Sequence, residues 1–590
     1  MENESGLPQE DHMGYKEVYQ EWLNDAYFDE DTKAELRSIA GDEKEIEDRF
    51  YRDLEFGTAG LRGVIGAGTN RMNVYTVRKA TQGLANYINK VNGAKRGVAI
   101  SYDSRHMSPE FADEAALCLN ANGIKAYVFD SLRPTPVLSF AVRYLNAIAG
   151  INITASHNPK EYNGYKVYWE DGAQITPPHD SGIMDEVRAV ASFDEVKTMD
   201  KDEAIRSGLY VVINKEVDDA YDEEVLKVVI RKDCIDQVGS DIKVVYNPLH
   251  GTGNIPVRRV LKKLGFPNVY VVPEQELPDG DFPSVSYPNP ENPEAFVLGE
   301  KMAKEIGADL ILATDPDADR LGVHVLDSKT GEYHALDGNM SGCLIGYYLL
   351  SQQKEKKGSL PADGAFIRSI VTTNMTDAIA KHFGVRLIEV LTGFKWIGLQ
   401  ILNFEHTGKG TYLFGMEESY GCLPGTYARD KDAVAASMVL CEAAAYYKTR
   451  NMTLWDAMLE MYDTFGYYKD EVSSVTLAGK EGIEKITTIM SELRANAPKQ
   501  IGAYKVEKLR DYQNDTITEM ESGKVEPTGL PKSNVLYYEL SDNAWLCVRP
   551  SGTEPKIKFY FGVCGSSLED ADQKAEEMKK ALDALVKPLM

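Results

Sequence analysis

Three things are scarce in this chain. No run of about 18 apolar residues occurs in it, so no segment is long enough to cross a bilayer as a helix. Its seven cysteines are scattered and odd in number, with no Cys-x-x-Cys pair, which argues against a disulfide framework and a thiolate zinc site. Positive charge is short as well: 65 Lys and Arg stand against 91 Asp and Glu, a net charge of −26. A phosphate-backbone partner needs a basic surface that releases counterions, so nucleic acid is not expected. The opening residues lack a basic stretch followed by an apolar core. The expectation is a protein of the reducing cytoplasm with no membrane partner.

What is present is ordinary globular composition, 43% hydrophobic and 26% charged. At 590 residues the chain exceeds a single core and should divide into several domains. Three stretches share a plan of apolar strand, polar loop, amphipathic helix, glycine and second strand: "GVAISYDSRHMSPEFADEAALCLNANGIKAYVF", "IKVVYNPLHGTGNIPVRRVLKKLGFPNVYVV" and "AFIRSIVTTNMTDAIAKHFGVRLIEV". In the second, Val257, Val260, Leu261 and Leu264 form one helical stripe and Gly265 ends it. The reading is α/β: three similar mixed-sheet α/β domains, residues 1–208 with a helical N-terminal arm, 209–328 and 329–464, followed by a smaller α+β domain over 465–590.

Four short stretches carry chemistry. In "ADLILATDPDADRLGVHV" an apolar strand runs into alternating Asp315, Asp317 and Asp319, and extended backbone would aim all three carboxylates the same way. Converging like charges call for a cation, and hard oxygen ligands favour Mg²⁺ or Ca²⁺. An EF-hand is excluded, because Arg320 and Leu326 stand where its Gly and Glu belong. In "ITASHNPKEYNG", Ser156 and His157 follow an apolar strand; such a serine can be a nucleophile, a phosphate ligand or a turn residue. In "YLFGMEESYGCLPG", Glu417, Glu418 and Ser419 suit either the hydroxyls of a sugar or a helix N-cap. In "CVRPSGTEPK", Arg549, Ser551, Gly552 and Thr553 offer a guanidinium fork, hydroxyls and backbone N–H groups to an oxyanion, without the form of a nucleotide P-loop.

Taken in order, TASHNP, DPDADR, GMEESYG and RPSGTEP resemble the catalytic, metal, sugar and phosphate loops of the α-D-phosphohexomutase superfamily. With "EFGTAGLRG" and the chain length, the likeness is greatest to its long phosphoglucomutase and phosphopentomutase branch. The resemblance implies four domains around a central cleft, each giving it one loop. It implies that Ser156 is a phosphoserine and that Asp315, Asp317 and Asp319 hold Mg²⁺ against its phosphate, with Arg320 beside the reacting group. Arg62 of "GLRG", His157, Lys166 of "NGYK" and Lys395 of "LTGFKWIG" match further active-site positions, His157 and Lys395 being candidates for proton transfer. Glu417 and Ser419 would hold sugar hydroxyls, and Arg549, Ser551, Gly552 and Thr553 the distal phosphate. The implied reaction interconverts glucose 1-phosphate and glucose 6-phosphate through bound glucose 1,6-bisphosphate, with mannose and pentose phosphates as alternative substrates. Pro316 and Ala318 stand where many members have glycine, which touches loop flexibility and leaves the carboxylate spacing intact.

Two other classes compete. In a haloacid-dehalogenase-type phosphotransferase Asp315 would be the nucleophile, and a non-catalytic sugar-phosphate-binding protein would keep the cleft without turnover.

Overall fold

The computed structural model describes residues 14–56, 60–477, 479–551 and 556–589. Its strands form four sheets in chain order, and near-continuous apolar runs such as Leu310–Thr314 and Gly364–Ser369 are buried on both faces, as α/β packing demands. The first sheet runs Gly60–Val64, Tyr162–Trp169, Ala149–Ile153, Val98–Tyr102, Ala126–Phe129, Tyr210–Ile213. Its last strand pairs Ala126 with Tyr210, so the first unit reaches past residue 208. The local pattern Tyr-Val-Val-Ile fixes a strand without saying which sheet will take it.

The second sheet is built on Leu310–Thr314 and Val244–Asn247, the third on Gly364–Ser369 and Thr411–Glu417. Each of these first three sheets mixes parallel and antiparallel pairs. The named ladder pairs of the fourth sheet are antiparallel. The helix Asn254–Leu264 buries Val257, Val260, Leu261 and Leu264 and ends at Gly265, whose φ of +119° suits a residue without Cβ.

One construction recurs in all four sheets. Ala149–Ile153 with Tyr162–Trp169, Leu310–Thr314 with Leu321–Leu326, Thr411–Glu417 with Gly421–Leu423, and Trp545–Pro550 with Lys556–Gly565 are antiparallel neighbours. Their connections are the four chemically marked stretches.

The N-terminal arm forms helices Tyr15–Asn24, Glu30–Ser38 and Glu43–Phe50. Trp22, 1% exposed, stacks on Phe28 at 4.1 Å and meets Phe50, Tyr75 and Phe193 edge-on.

The helix Ala433–Lys448 is apolar nearly all round, and Asp432 caps it by accepting from the Ala435 N–H. Such a helix must be enclosed. It lies in one continuous apolar cluster that includes Val137 and Phe140 of the first unit, Val257 and Leu261 of the second, and Leu344 and Tyr348 of the third. The fourth unit has its own cluster, with Ile489, Leu536 and Phe561, and meets the third through Ile370, Val371, Tyr537 and Trp545. Across that seam Glu389 accepts from Arg368 at 2.9 Å and from Arg510 of the fourth sheet at 2.7 Å. Among the described residues, no helix is long and apolar enough to cross a membrane.

Candidate functional site

The first and second marked loops meet face to face. Ser156 stands just past the strand Ala149–Ile153, 4% exposed, with φ of +53° and its N–H donating to Thr154 Oγ1 at 2.8 Å. Its Oγ donates to Asp315 Oδ2 at 2.8 Å and lies 3.2 Å from His157 Nδ1.

The aspartates converge, but for a different reason than extended backbone supplies. The strand ends at Thr314 and the chain turns, closed by the Ala318 N–H donating to the Asp315 carbonyl at 2.9 Å, with Ala318 at φ +48°. A tight turn, not period-two alternation, brings one carboxylate oxygen from each residue within 4.8 Å of the others. All three side chains are buried.

Each carboxylate is tied from outside its own unit. Asp315 accepts from Ser156, and also from its neighbour's backbone, the Arg320 N–H, at 3.0 Å. Asp317 Oδ2 accepts from Lys166 Nζ at 2.8 Å and Thr135 Oγ1 at 2.9 Å. Asp319 Oδ2 lies 3.1 Å from Lys431 Nζ. Burial, then Asp317 and Asp319, push the Asp315 carboxyl well above its usual range. Burial opposes ionisation of Asp317 too, yet Lys166 and the hydrogen bonds on it hold its pKa low.

The cluster fits a hard divalent cation. Asp317 Oδ1 and Asp319 Oδ1 are buried without a hydrogen-bond partner, an arrangement that costs free energy unless something positive meets them. Oxygens sharing one Mg²⁺ or Ca²⁺ sit about 2.0 to 2.6 Å from it, hence within about 5 Å of one another, which the cluster satisfies.

In front of this buried layer lies a cavity of about 480 Å³ to which all four units contribute. Arg62, His157 and Asn158 come from the first, Glu291 and Arg320 from the second, Asp337, Glu418, Ser419 and Tyr420 from the third, and Ser551, Lys558 and Tyr560 from the fourth. Arg62 Nη1 donates to Asn158 Oδ1 at 3.3 Å, and Arg320 pairs with Glu291. Despite the net charge of −26, the cavity wall carries Arg62, Arg320 and Lys558. Burial, reinforced by Arg320 and Arg62, lowers the His157 pKa well below the usual imidazole value, so its ring is a neutral base at pH 7. Burial and the neighbouring Glu417 raise the Glu418 carboxyl to about 7.

The expected residues divide into three groups. Arg62, His157, Arg320, Ser419 and Ser551 line the cavity; Ser156, Lys166 and the three aspartates lie in the buried layer. Glu417 is also buried and accepts from the Gly393 N–H at 2.7 Å, so it braces the third loop from behind. Arg549 stands in the strand before the fourth loop and its charge acts on Glu418. Lys395, first residue of the helix Lys395–Thr407, is not in the cavity lining; its ammonium lies 5.3 Å from the Trp396 ring and feels the charge of Asp180. Gly552 and Thr553 lie outside the described residues.

Sequence reasoning missed Thr135, Glu291, Lys431 and Lys558. For Lys431 a signal existed: "ARDKDA" puts four charges directly before an apolar helix, and charges in such a setting are buried only when paired.

Models of the phosphoglucomutase/phosphomannomutase family match the chain in four consecutive pieces: α/β/α domain I at 53–193, domain II at 219–328, domain III at 337–465 and the C-terminal domain at 495–580. A phosphoglucomutase of Staphylococcus aureus is 36% identical over 570 residues, covering 95% of this chain and 98% of that protein. One of Staphylococcus saprophyticus is 36% identical over 534 residues, 90% and 95% of the two chains. Among solved structures, the open form of pp63/parafusin, a phosphoglucomutase from Paramecium, superposes with a TM-score of 0.67 at 18% identity over 91% of this chain and 96% of that one. A phosphomannomutase homologue from Thermus thermophilus gives 0.66 at 20% identity, over 90% and 99%. At such identities the two structures speak for the fold.

Proposed function

The chain belongs to the phosphoglucomutase/phosphomannomutase family, within the α-D-phosphohexomutase superfamily, and from that premise we propose that it interconverts glucose 1-phosphate and glucose 6-phosphate. The observation that carries the reading is Ser156 Oγ at 2.8 Å from Asp315, behind a cavity built from all four units.

Ser156 is the group that carries phosphate between turnovers. Its phosphoryl group passes to the free hydroxyl of the bound sugar monophosphate: the bond to Ser156 Oγ breaks, the bond to the sugar oxygen forms, and the sugar proton leaves to a base. His157 is the better placed of the two candidate bases, 3.2 Å from Oγ and kept neutral by burial, whereas Lys395 stands off the lining. The product is glucose 1,6-bisphosphate, which reorients and returns its other phosphate to Ser156, with the proton going back to the released hydroxyl.

Asp315, Asp317 and Asp319 would hold Mg²⁺, which when bound supplies positive charge to the phosphoryl oxygens. Arg320 and Arg62 add fixed positive charge at the cavity wall, and Lys166 keeps Asp317 ionised. Ser419 and Glu418 face the sugar, while Arg549, Ser551 and Lys558 take the phosphate that is not reacting. Reversing the sugar exchanges its two phosphates, so one set of contacts serves both directions.

The test is direct. Enzyme with Mg²⁺, glucose 1-phosphate and a trace of glucose 1,6-bisphosphate should form glucose 6-phosphate, with kcat/KM above that for mannose 1-phosphate and ribose 1-phosphate. A higher kcat/KM on either of the others would reassign the substrate.

A further inference from the structure

Resting on the reading that Ser156 carries the phosphoryl group, we propose that Arg105 is a positioning residue for its transfer, acting through the backbone of the serine loop. Arg105 follows the strand Val98–Tyr102 and is 1% exposed. Its Nη1 donates to the carbonyls of Pro159 at 2.8 Å and Tyr162 at 3.1 Å, and its Nη2 to those of Ser156 at 2.6 Å and Asn158 at 2.5 Å. One guanidinium thus gathers four carbonyls of the loop that presents Ser156, a task for a rigid planar fork and not for a single ammonium.

The fork is itself held. Asp103 pairs with Arg105 Nε at 3.2 Å and accepts the Arg105 backbone N–H at 3.0 Å and Ser108 Oγ at 2.8 Å. From the second unit, the Phe282 ring lies 5.1 Å from the guanidinium carbon. Phe282 is 1% exposed at φ +46°, a conformation that a bulky residue keeps only where its surroundings enforce it. Its neighbour Asp281 reaches Lys160 at 3.2 Å and His106 at 3.3 Å. The unit that carries the three aspartates therefore also closes over the clamp that sets the serine loop.

The consequence concerns one peptide. Ser156 sits at φ +53°, and Arg105 holds its carbonyl there, so the fork fixes the direction of Oγ toward Asp315. Without the fork the loop keeps its sequence and its sugar contacts but loses alignment for in-line transfer, where a shift of about 1 Å costs about 100-fold in rate.

The experiment uses the full-length enzyme. Wild type, Arg105→Lys and Phe282→Leu are labelled with [³²P]glucose 1,6-bisphosphate and Mg²⁺, the label is mapped, and its transfer to glucose 1-phosphate is timed in a single turnover beside KM and the thermal midpoint. Arg105→Lys should transfer about 100-fold more slowly per labelled site, with KM within about threefold of wild type. Phe282→Leu, which keeps an apolar plug without the ring face, should slow the same step by about three- to tenfold. A merely structural arginine would lower the thermal midpoint or the labelled fraction while labelled sites turned over at the wild-type rate, and that result overturns the proposal. Should Arg105→Lys not fold, Phe282→Leu decides: wild-type transfer rejects the clamp. Label absent from Ser156 in the wild type would overturn the functional reading, and the clamp with it.

Discussion

Lys431 reaches Asp319 Oδ2 at 3.1 Å from the third unit, although the aspartate belongs to the second. The same ammonium lies 3.2 Å from Asp430, and the methylene stem of Lys431 packs so closely on Gly421 that an added Cβ would stand 1.9 Å from its Cδ. The loop of the three aspartates and the loop of Glu417, Glu418 and Ser419 are therefore referenced to one side chain. With Ser156, Lys166 and Thr135 holding the other two aspartates from the first unit, the cluster is assembled only when three units are docked.

Removing the serine hydroxyl should remove the reaction. Ser156→Ala is expected to lose about 10⁴-fold or more in mutase rate, while glucose 1-phosphate still binds. The wild-type phosphoenzyme should be stable to hydroxylamine and labile to alkali; hydroxylamine-labile label on Asp315 would instead favour the aspartyl mechanism.

Divalent cation should stabilise the fold as well as activate it. Mg²⁺ at 100 times its dissociation constant is expected to add about 2.7 kcal/mol, read as a rise in thermal midpoint. Asp319→Asn should flatten that rise, since Asp319 Oδ1 is one of the two orphaned acceptors. Full activity in EDTA would contradict the assignment.

Asp470 gives a pH dependence of known sign. It lines the cavity, and burial, with Asp337 adding to it, raises its carboxyl from 3.8 to about 7. A carboxyl whose native pKa is raised disfavours the folded state as it ionises, so the loss of stability runs from about pH 4 up through about pH 7. Asp470→Asn cannot ionise; its thermal midpoint relative to wild type should rise between pH 5 and pH 8. An unchanged difference would show that Asp470 titrates normally.

The seam between third and fourth units rests on Glu389. Removing one partner of a largely buried ion pair strands the others, at about 3 kcal/mol. Glu389→Ala should lower stability by about that amount and expose the fourth unit to limited proteolysis; an equal change in Arg510→Ala, with no further loss in the double variant, would confirm a shared interaction.

Sequence made legible what local chemistry dictates. Apolar runs broken by Ser156, by the aspartates and by "MEESYG" announce strands ending at a site, and those stretches do sit at hairpin tips. Extended-strand alternation predicts the convergence of Asp315, Asp317 and Asp319, and their charge predicts the cation; the carboxylates do converge, but through a turn at Ala318 with φ +48°, which strand periodicity does not contain. Arg105 was illegible because the carbonyls it binds carry no side-chain signature at all, and for Lys431 the charges of "ARDKDA" announced burial without naming its partner Asp319, which lies in another unit. Glu417 was legible as a charged residue in a marked loop, but whether it faces substrate or braces the loop depends on Gly393, which the local pattern does not contain.

The apolar helix Ala433–Lys448 makes three of the four units inseparable as folding entities. Their shared interior leaves no place to cut the chain without flooding that helix with water, so a fragment ending before residue 433 should precipitate. The C-terminal piece has a separate interior and meets the third unit through the seam of Ile370, Val371, Tyr537 and Trp545, so a break in the chain there should cost the rest less than a break before residue 433.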